Sequence, residues 1–150
     1  RASFIAAICG AGLQGSRSRM RSGGADYRDE ARTEHMLRAI GCIQKLLPGV
    51  TRESLDEWDP VTQQLIYNIQ LIGEDANNLS DGFCCAHPEI DAKGWSGLRH
   101  RLIHDYANID FGIVWNVLQS DVPQLEKALK PIVAAQPSPP ELPDNLNDFI

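Results

Sequence analysis

No apolar run in these 150 residues approaches the ~20 that a membrane helix needs, so no membrane partner is expected. Aromatic residues make up 7% and hydrophobic residues 43% of the chain. That supply supports one modest core, hence a single domain with tails. The four cysteines, Cys9, Cys42, Cys84 and Cys85, lack the paired spacing of a disulfide framework. Adjacent Cys84 and Cys85 could join only through a strained bond, so the usage suits a reducing, cytoplasmic setting. Positive charge is also short: 14 Lys and Arg face 20 Asp and Glu, a formal net charge of −6. This balance argues against broad coating of nucleic acid, and DNA is not an expected partner. It leaves room for a local basic pocket, because a phosphate feels charges through a Debye length of ~8–10 Å. No period-two alternation of useful length occurs either. The expected fold is therefore all-α, a bundle of four or five helices.

What is present divides the chain into three parts. Residues 1–25 begin "RASFIAAICGAGLQG", too brief and too interrupted by glycine for a signal sequence. Arg17, Arg19 and Arg21 follow, and Met20 is a candidate initiator, so this stretch is predicted to be a disordered leader or a remnant. Residues 26–133 carry the helical pattern. Residues 134–150, largely "QPSPPELPDNLNDFI", are rich in proline and acid and are predicted to be disordered.

Within the middle part, Met36, Ile40, Ile43 and Leu47 recur at helical spacing until Pro48-Gly49 stops them. Thr51 is predicted to cap a short helix with Leu55 and Trp58 turned inward. Asp59-Pro60 reads as an N-cap followed by proline in the first turn. Leu65, Ile69, Ile72, Ala76 and Leu79 then form an apolar stripe as far as Ser80. "FCCAHPEIDAKG" (83–94) reads as a loop, and a helix is predicted from Trp95 to Asn108. Asp110 caps a further helix, which Pro123 must kink or restart. Asp121 is a candidate cap for the continuation, with Leu125, Leu129 and Ile132 inward. Trp58, Trp95 and Trp115 are expected as core or dimer-interface anchors.

The stretch "GLRHRLIHDYANID" (97–110) sets two arginines, two histidines and a tyrosine within eight residues. At 100° per position, Arg99 and Tyr106 share an azimuth, and His100 neighbours His104 on a second stripe. Arg99 and His104 stand roughly 140° apart and would not converge from one straight helix. Two copies of the helix across a two-fold axis, or a distorted helix end, would bring them together. The groups suit phosphodiester transfer. Histidine gives and takes protons near neutrality, and arginine offers a planar, bidentate charge to a phosphoryl oxygen. RNA carries its own nucleophile, the 2′-hydroxyl, so no metal and no cofactor are required. The plain reading of the same residues is a solvated face. There Arg99 and Arg101 would pair with Glu74 or Asp105, and His104 and Tyr106 would pack with satisfied polar tips. His100 and His104 at i, i+4 would also suit a metal, with Glu74, Cys84, Cys85, His87 or Glu89 as third ligand. No CxxC or second His pair accompanies them, and a metal site is not expected. Glu74 lies on or beside the apolar stripe, where an unpaired carboxylate is costly. It is predicted to bond an arginine or histidine of the motif helix.

The longer strings "LIYNIQLIGEDANNLS", "HPEI" and "GLRHRLIHDYANIDFGIVWNVLQSDVPQLEKAL" resemble, in order, the HepT-like toxins of the HEPN superfamily. The R-x4-H-x-Y of that family is matched by Arg99, His104 and Tyr106, and its "IGE" by Ile72, Gly73 and Glu74. Its D-x-x-x-V-W…D-x-P-x-L is matched by Asp110, Val114, Trp115, Asp121, Pro123 and Leu125. The residue after the motif arginine is commonly a polar amide in that family; here it is His100. The resemblance implies a homodimer whose motif helices meet at an interfacial cleft. It implies a metal-independent endoribonuclease of a type II or type VII-like toxin–antitoxin pair, with Arg99 and His104 catalytic and His100 and Glu74 auxiliary. The implied partner is a nucleotidyltransferase antitoxin that neutralises the toxin by transferring AMP to Tyr106. The alternative is a catalytically inactive helical module that binds the nucleotidyltransferase.

Overall fold

The structure, a computed structural model, describes residues 25–136, with side chains from Arg28 onward. The predicted leader and all of the tail beyond Gln136 lie outside the described residues. Among those described there is no strand, and the fold is all-α. Helix α1 spans Ala25–Leu46, α2 Pro60–Asn78, α3 Asp81–Ala86, α4 Ala92–His104, α5 Phe111–Asn116 and α6 Val122–Ala134. Among the described residues, no helix is long and apolar enough to cross a membrane.

The helices begin where their caps dictate. Asp59 Oδ2 accepts from the Thr62 backbone N–H at 2.8 Å and from its hydroxyl at 2.9 Å, and Pro60 opens α2 as predicted. The proline spends no donor there, since a first-turn N–H has no intrahelical partner. Asp110 Oδ1 accepts from Gly112 N–H at 2.8 Å and starts α5. Thr51 and Ser54 form a reciprocal capping box around only one 3-10 turn, Arg52–Ser54.

One core unites these elements. Met36, Ile40 and Ile43 of α1 meet Leu65, Ile69, Ile72 and Ala76 of α2, and Trp95, Leu98 and Leu102 of α4 close against them. Val114, Leu118, Leu125 and Leu129 complete the cluster from the C-terminal helices. Burying each such side chain contributes about 1.5–3 kcal/mol. Asp29 of α1 is buried and accepts from the Ser80 backbone N–H at 2.9 Å and its hydroxyl at 2.6 Å. Ser80 Oγ in turn caps α3 through Phe83 N–H, so one carboxylate ties three helices.

Several sequence expectations are corrected. Trp58 is 77% exposed rather than inward, because Thr51 starts a single turn and the chain leaves it before Trp58 can reach the core. Trp95 is buried, and Trp115 packs partly against the core. The predicted loop 83–94 is mostly ordered helix. Ser80 caps α3 across Phe83, Cys84 and Cys85, a 3-10 turn covers Pro88–Ile90, and α4 starts at Ala92. Asp91 caps it from the left-handed region, φ 52. Asp121 supplies no side-chain cap, because its backbone is itself helical and the chain passes through a π-helical turn, Val117–Asp121, into α6. The tail boundary at 134 also moves: Gln136 Nε2 donates to Thr33 Oγ1 at 2.9 Å, fastening these last described residues to α1. Cys42, Cys84 and Cys85 are free thiols.

Candidate active site

Helix α4 lies antiparallel to α2, and its register is fixed by three contacts. Ser96 Oγ donates to Asn77 Oδ1 at 2.8 Å, Arg99 Nε lies 2.7 Å from Glu74 Oε2, and Gly73 sits under both Trp95 and Arg99. A Cβ on Gly73 would stand 2.4 Å from Arg99 Cβ and 2.7 Å from the Trp95 carbonyl oxygen. Only glycine permits so close a crossing. The "IGE" string thus has a local meaning: Ile72 is core, Gly73 admits α4, and Glu74 receives the arginine that α4 brings.

Glu74 is held from both sides. Its Oε1 accepts from Asn78 Nδ2 at 3.1 Å, and the same amide donates to the Glu74 carbonyl at 2.9 Å. Its other oxygen engages only Nε of Arg99, leaving the terminal guanidinium nitrogens without a partner among the described residues. Both side chains are partly exposed, 33% and 47%, so the pair adds no more than about 1 kcal/mol. Its effect is orientation. Asn78 was not singled out from the sequence; its i+4 spacing from Glu74 is the sign that could have found it.

His100, His104 and Tyr106 are exposed. The two histidine rings lie with centroids 4.3 Å apart and planes at 45°, the contact their i, i+4 spacing predicts. Helix α4 ends at His104, four residues earlier than expected. Asp105 leaves the helical region at φ −117, ψ 39, and Tyr106–Asn108 form a 3-10 turn braced by Asn108 Nδ2 donating to Asp105 Oδ1 at 2.9 Å. Tyr106 is therefore not on the Arg99 azimuth. Within one chain Arg99 and the histidine pair face different directions, Arg99 toward α2 and the histidines away from the core. A shallow depression on the other flank is lined by Arg101, Asp105, Asn108, Asp110 and Ile113, and includes none of the motif residues. Among the described residues no three His, Cys, Asp or Glu side chains gather at metal-holding distance. His87 and Glu89 pair with each other just before α4, at the far end of that helix from His104.

Apolar surface collects around the motif. Ile103 is 42% exposed, Tyr106 45% and Tyr67 of α2 53%. The antiparallel register carries Tyr67, seven residues before Glu74, toward the C-terminal end of α4.

No solved structure matches the chain significantly. Among curated proteins, one from Caldanaerobacter subterraneus subsp. tengcongensis, named "Putative RNase", is 28% identical over 100 residues, covering 67% of this chain and 89% of its own. A "Probable ribonuclease HepT" of Thermococcus cleftensis is 33% identical over 86 residues, covering 55% of this chain and 78% of its own. A Methanocaldococcus jannaschii protein, also named "Putative RNase", is 34% identical over 76 residues, covering 50% and 63%. The model of the family described as "Ribonuclease HepT-like" matches residues 36–132, which span α2, α4 and every motif residue above. On that match, the chain belongs to the HepT-like ribonuclease family.

Proposed function

We propose that this protein is a metal-independent endoribonuclease, the toxin of a toxin–antitoxin pair, acting as a homodimer. The observation that carries the reading is the guanidinium of Arg99. It is fixed by Glu74 over the Gly73 crossing, with its terminal nitrogens open, on the same helix end as exposed His104. That is an arrangement for an anion, within a chain of this family.

In the proposed step, His104 takes the proton of an RNA 2′-hydroxyl as its oxygen attacks the adjacent phosphorus. Arg99 holds the non-bridging oxygens as charge grows on them, and the bond to the 5′-oxygen breaks. His100 returns a proton to that leaving oxygen, giving a 2′,3′-cyclic phosphate and a free 5′-hydroxyl. Glu74 orients Arg99 and does not touch the substrate. Because Arg99 and His104 point roughly 140° apart on one helix, the arginine of one copy serves the histidine of the other. The exposed Ile103, Tyr67 and Tyr106 supply apolar surface for that pairing. The antitoxin is a nucleotidyltransferase that transfers AMP from ATP to the Tyr106 hydroxyl, releasing pyrophosphate; exposure of Tyr106 suits that access.

Labelled RNA incubated with purified protein and a chelator tests the reaction. Cyclic phosphate ends that disappear in Arg99→Ala and His104→Ala support it. Inert wild-type protein that still binds the nucleotidyltransferase supports a non-catalytic module instead. Ile103→Asp should lower the sedimentation coefficient and the cleavage rate together. A monomeric wild type that cuts RNA would end the shared-site proposal.

A further inference from the structure

We propose that His100 and His104 form a chelating site for a divalent late-transition cation, for which Zn2+ is the probe. The inference follows from three observations. The rings are 4.3 Å apart, centroid to centroid. Both side chains are exposed, on the α4 face turned from the core. Neither ring has a hydrogen bond or ion pair to another described residue, so their nitrogens are uncommitted.

The geometry suits one ion. With Zn–N bonds of ~2.0–2.1 Å and tetrahedral angles, two ligating nitrogens stand about 3.4 Å apart. Rings at this separation reach that spacing by small χ rotations on an exposed helix. Imidazole is a ligand that Zn2+, Cu2+ and Ni2+ all favour. Once one ring is bound, the second ligates intramolecularly, at the millimolar effective concentration of a short tether. The pair supplies two ligands, and water fills the other positions. Glu74 stays with Arg99, and His87 with Glu89, so neither is drawn in.

The consequence rests on the nuclease reading above. A cation on His104 occupies the nitrogen that would accept the 2′-hydroxyl proton, so Zn2+ binding and RNA cleavage exclude each other. A position that is commonly an amide in this family thereby acquires a cation-sensitive brake through one residue, His100.

Titration calorimetry of the full chain with Zn2+ tests the site. His100→Gln and His104→Gln, both at exposed positions, should each weaken the same binding event by at least about tenfold, while His87→Gln leaves it unchanged. Wild-type protein that binds no Zn2+, equal binding by His100→Gln, or an equal loss in His87→Gln would overturn it. Cleavage assays then separate the two readings. Zn2+ bound by this pair in a protein that never cuts RNA keeps the site and refutes the nuclease. RNA cleavage without histidine-dependent Zn2+ binding does the reverse. Cleavage continuing with the pair filled would refute the brake.

Discussion

Replacing Gly73 by alanine should injure stability and activity through one contact. The new Cβ would lie 2.4 Å from Arg99 Cβ and 2.7 Å from the Trp95 carbonyl oxygen. Carbon pairs settle near 3.5–4.0 Å, so α4 must retreat from α2 by about 1 Å at this crossing. Backbone sits on one side of the clash, and no rotamer relieves it. Overpacking of this kind costs about 1–3 kcal/mol. The better helix propensity of alanine returns about 0.5–1 kcal/mol, leaving a net loss near 0.5–2 kcal/mol. In a domain of this size each kcal/mol lowers Tm by about 4–8 °C. Arg99 moves with its helix, and a misplacement of about 1 Å can cost ~100-fold in rate. Denaturant melts and RNA cleavage would be measured on Gly73→Ala beside Gly41→Ala, whose Cβ would meet nothing within 4 Å. The control should be neutral or slightly stabilising. A Gly73→Ala protein as stable as wild type and as fast on RNA would refute the close-crossing argument.

Asp29→Ala removes the acceptor of both Ser80 bonds from a buried position; a loss of about 2–4 kcal/mol is expected in denaturant melts. Burial holds the Asp75 carboxyl above the usual carboxylate range, partly offset by its bond to His35. The folded state therefore binds that proton more readily than the unfolded chain, and this site favours folding less as pH rises through the raised value. Asp75→Asn should thus be at least as stable as wild type at neutral pH, an advantage that shrinks in acid; melts across pH would show it, and an advantage growing in acid would contradict it. Burial, followed by the charges of Asp29 and Asp81, likewise pushes the Cys84 thiol up. Iodoacetamide at neutral pH should therefore modify exposed Cys85 before Cys84, as read by peptide mass spectrometry.

Much of this was legible in the sequence, for physical reasons. The Met36, Ile40, Ile43 and Leu65, Ile69, Ile72 stripes buried as their period requires, and Asp59-Pro60 opened α2 where its cap chemistry placed it. Trp58 was misjudged because hydrophobicity does not say where a single 3-10 turn releases the chain. The 83–94 segment was misjudged because Ser80 and Asp91, which cap the helices on either side, look like loop residues until their side chains find N–H groups. At the site, R-x4-H-x-Y put the chemistry on one element, and Glu74 was expected to seek a motif-helix cation. The helix end at His104 was hidden, since Tyr106 continues the period that Asp105 breaks. Asn78 went unnoticed because its role depends on Glu74 already being committed elsewhere.

The wide turn at Val117–Asp121 fixes how many residues this part of the chain must contain. Gln119 and Ser120 are exposed there and free to vary in kind. Losing either one would restore an ordinary α-helical turn, yet rotate everything after it by about 100°. Leu125 and Leu129 would then swing off α1 into solvent, and Pro123 would press its ring against a carbonyl no longer displaced. Homologues should therefore change letters in this turn far more readily than they change its length.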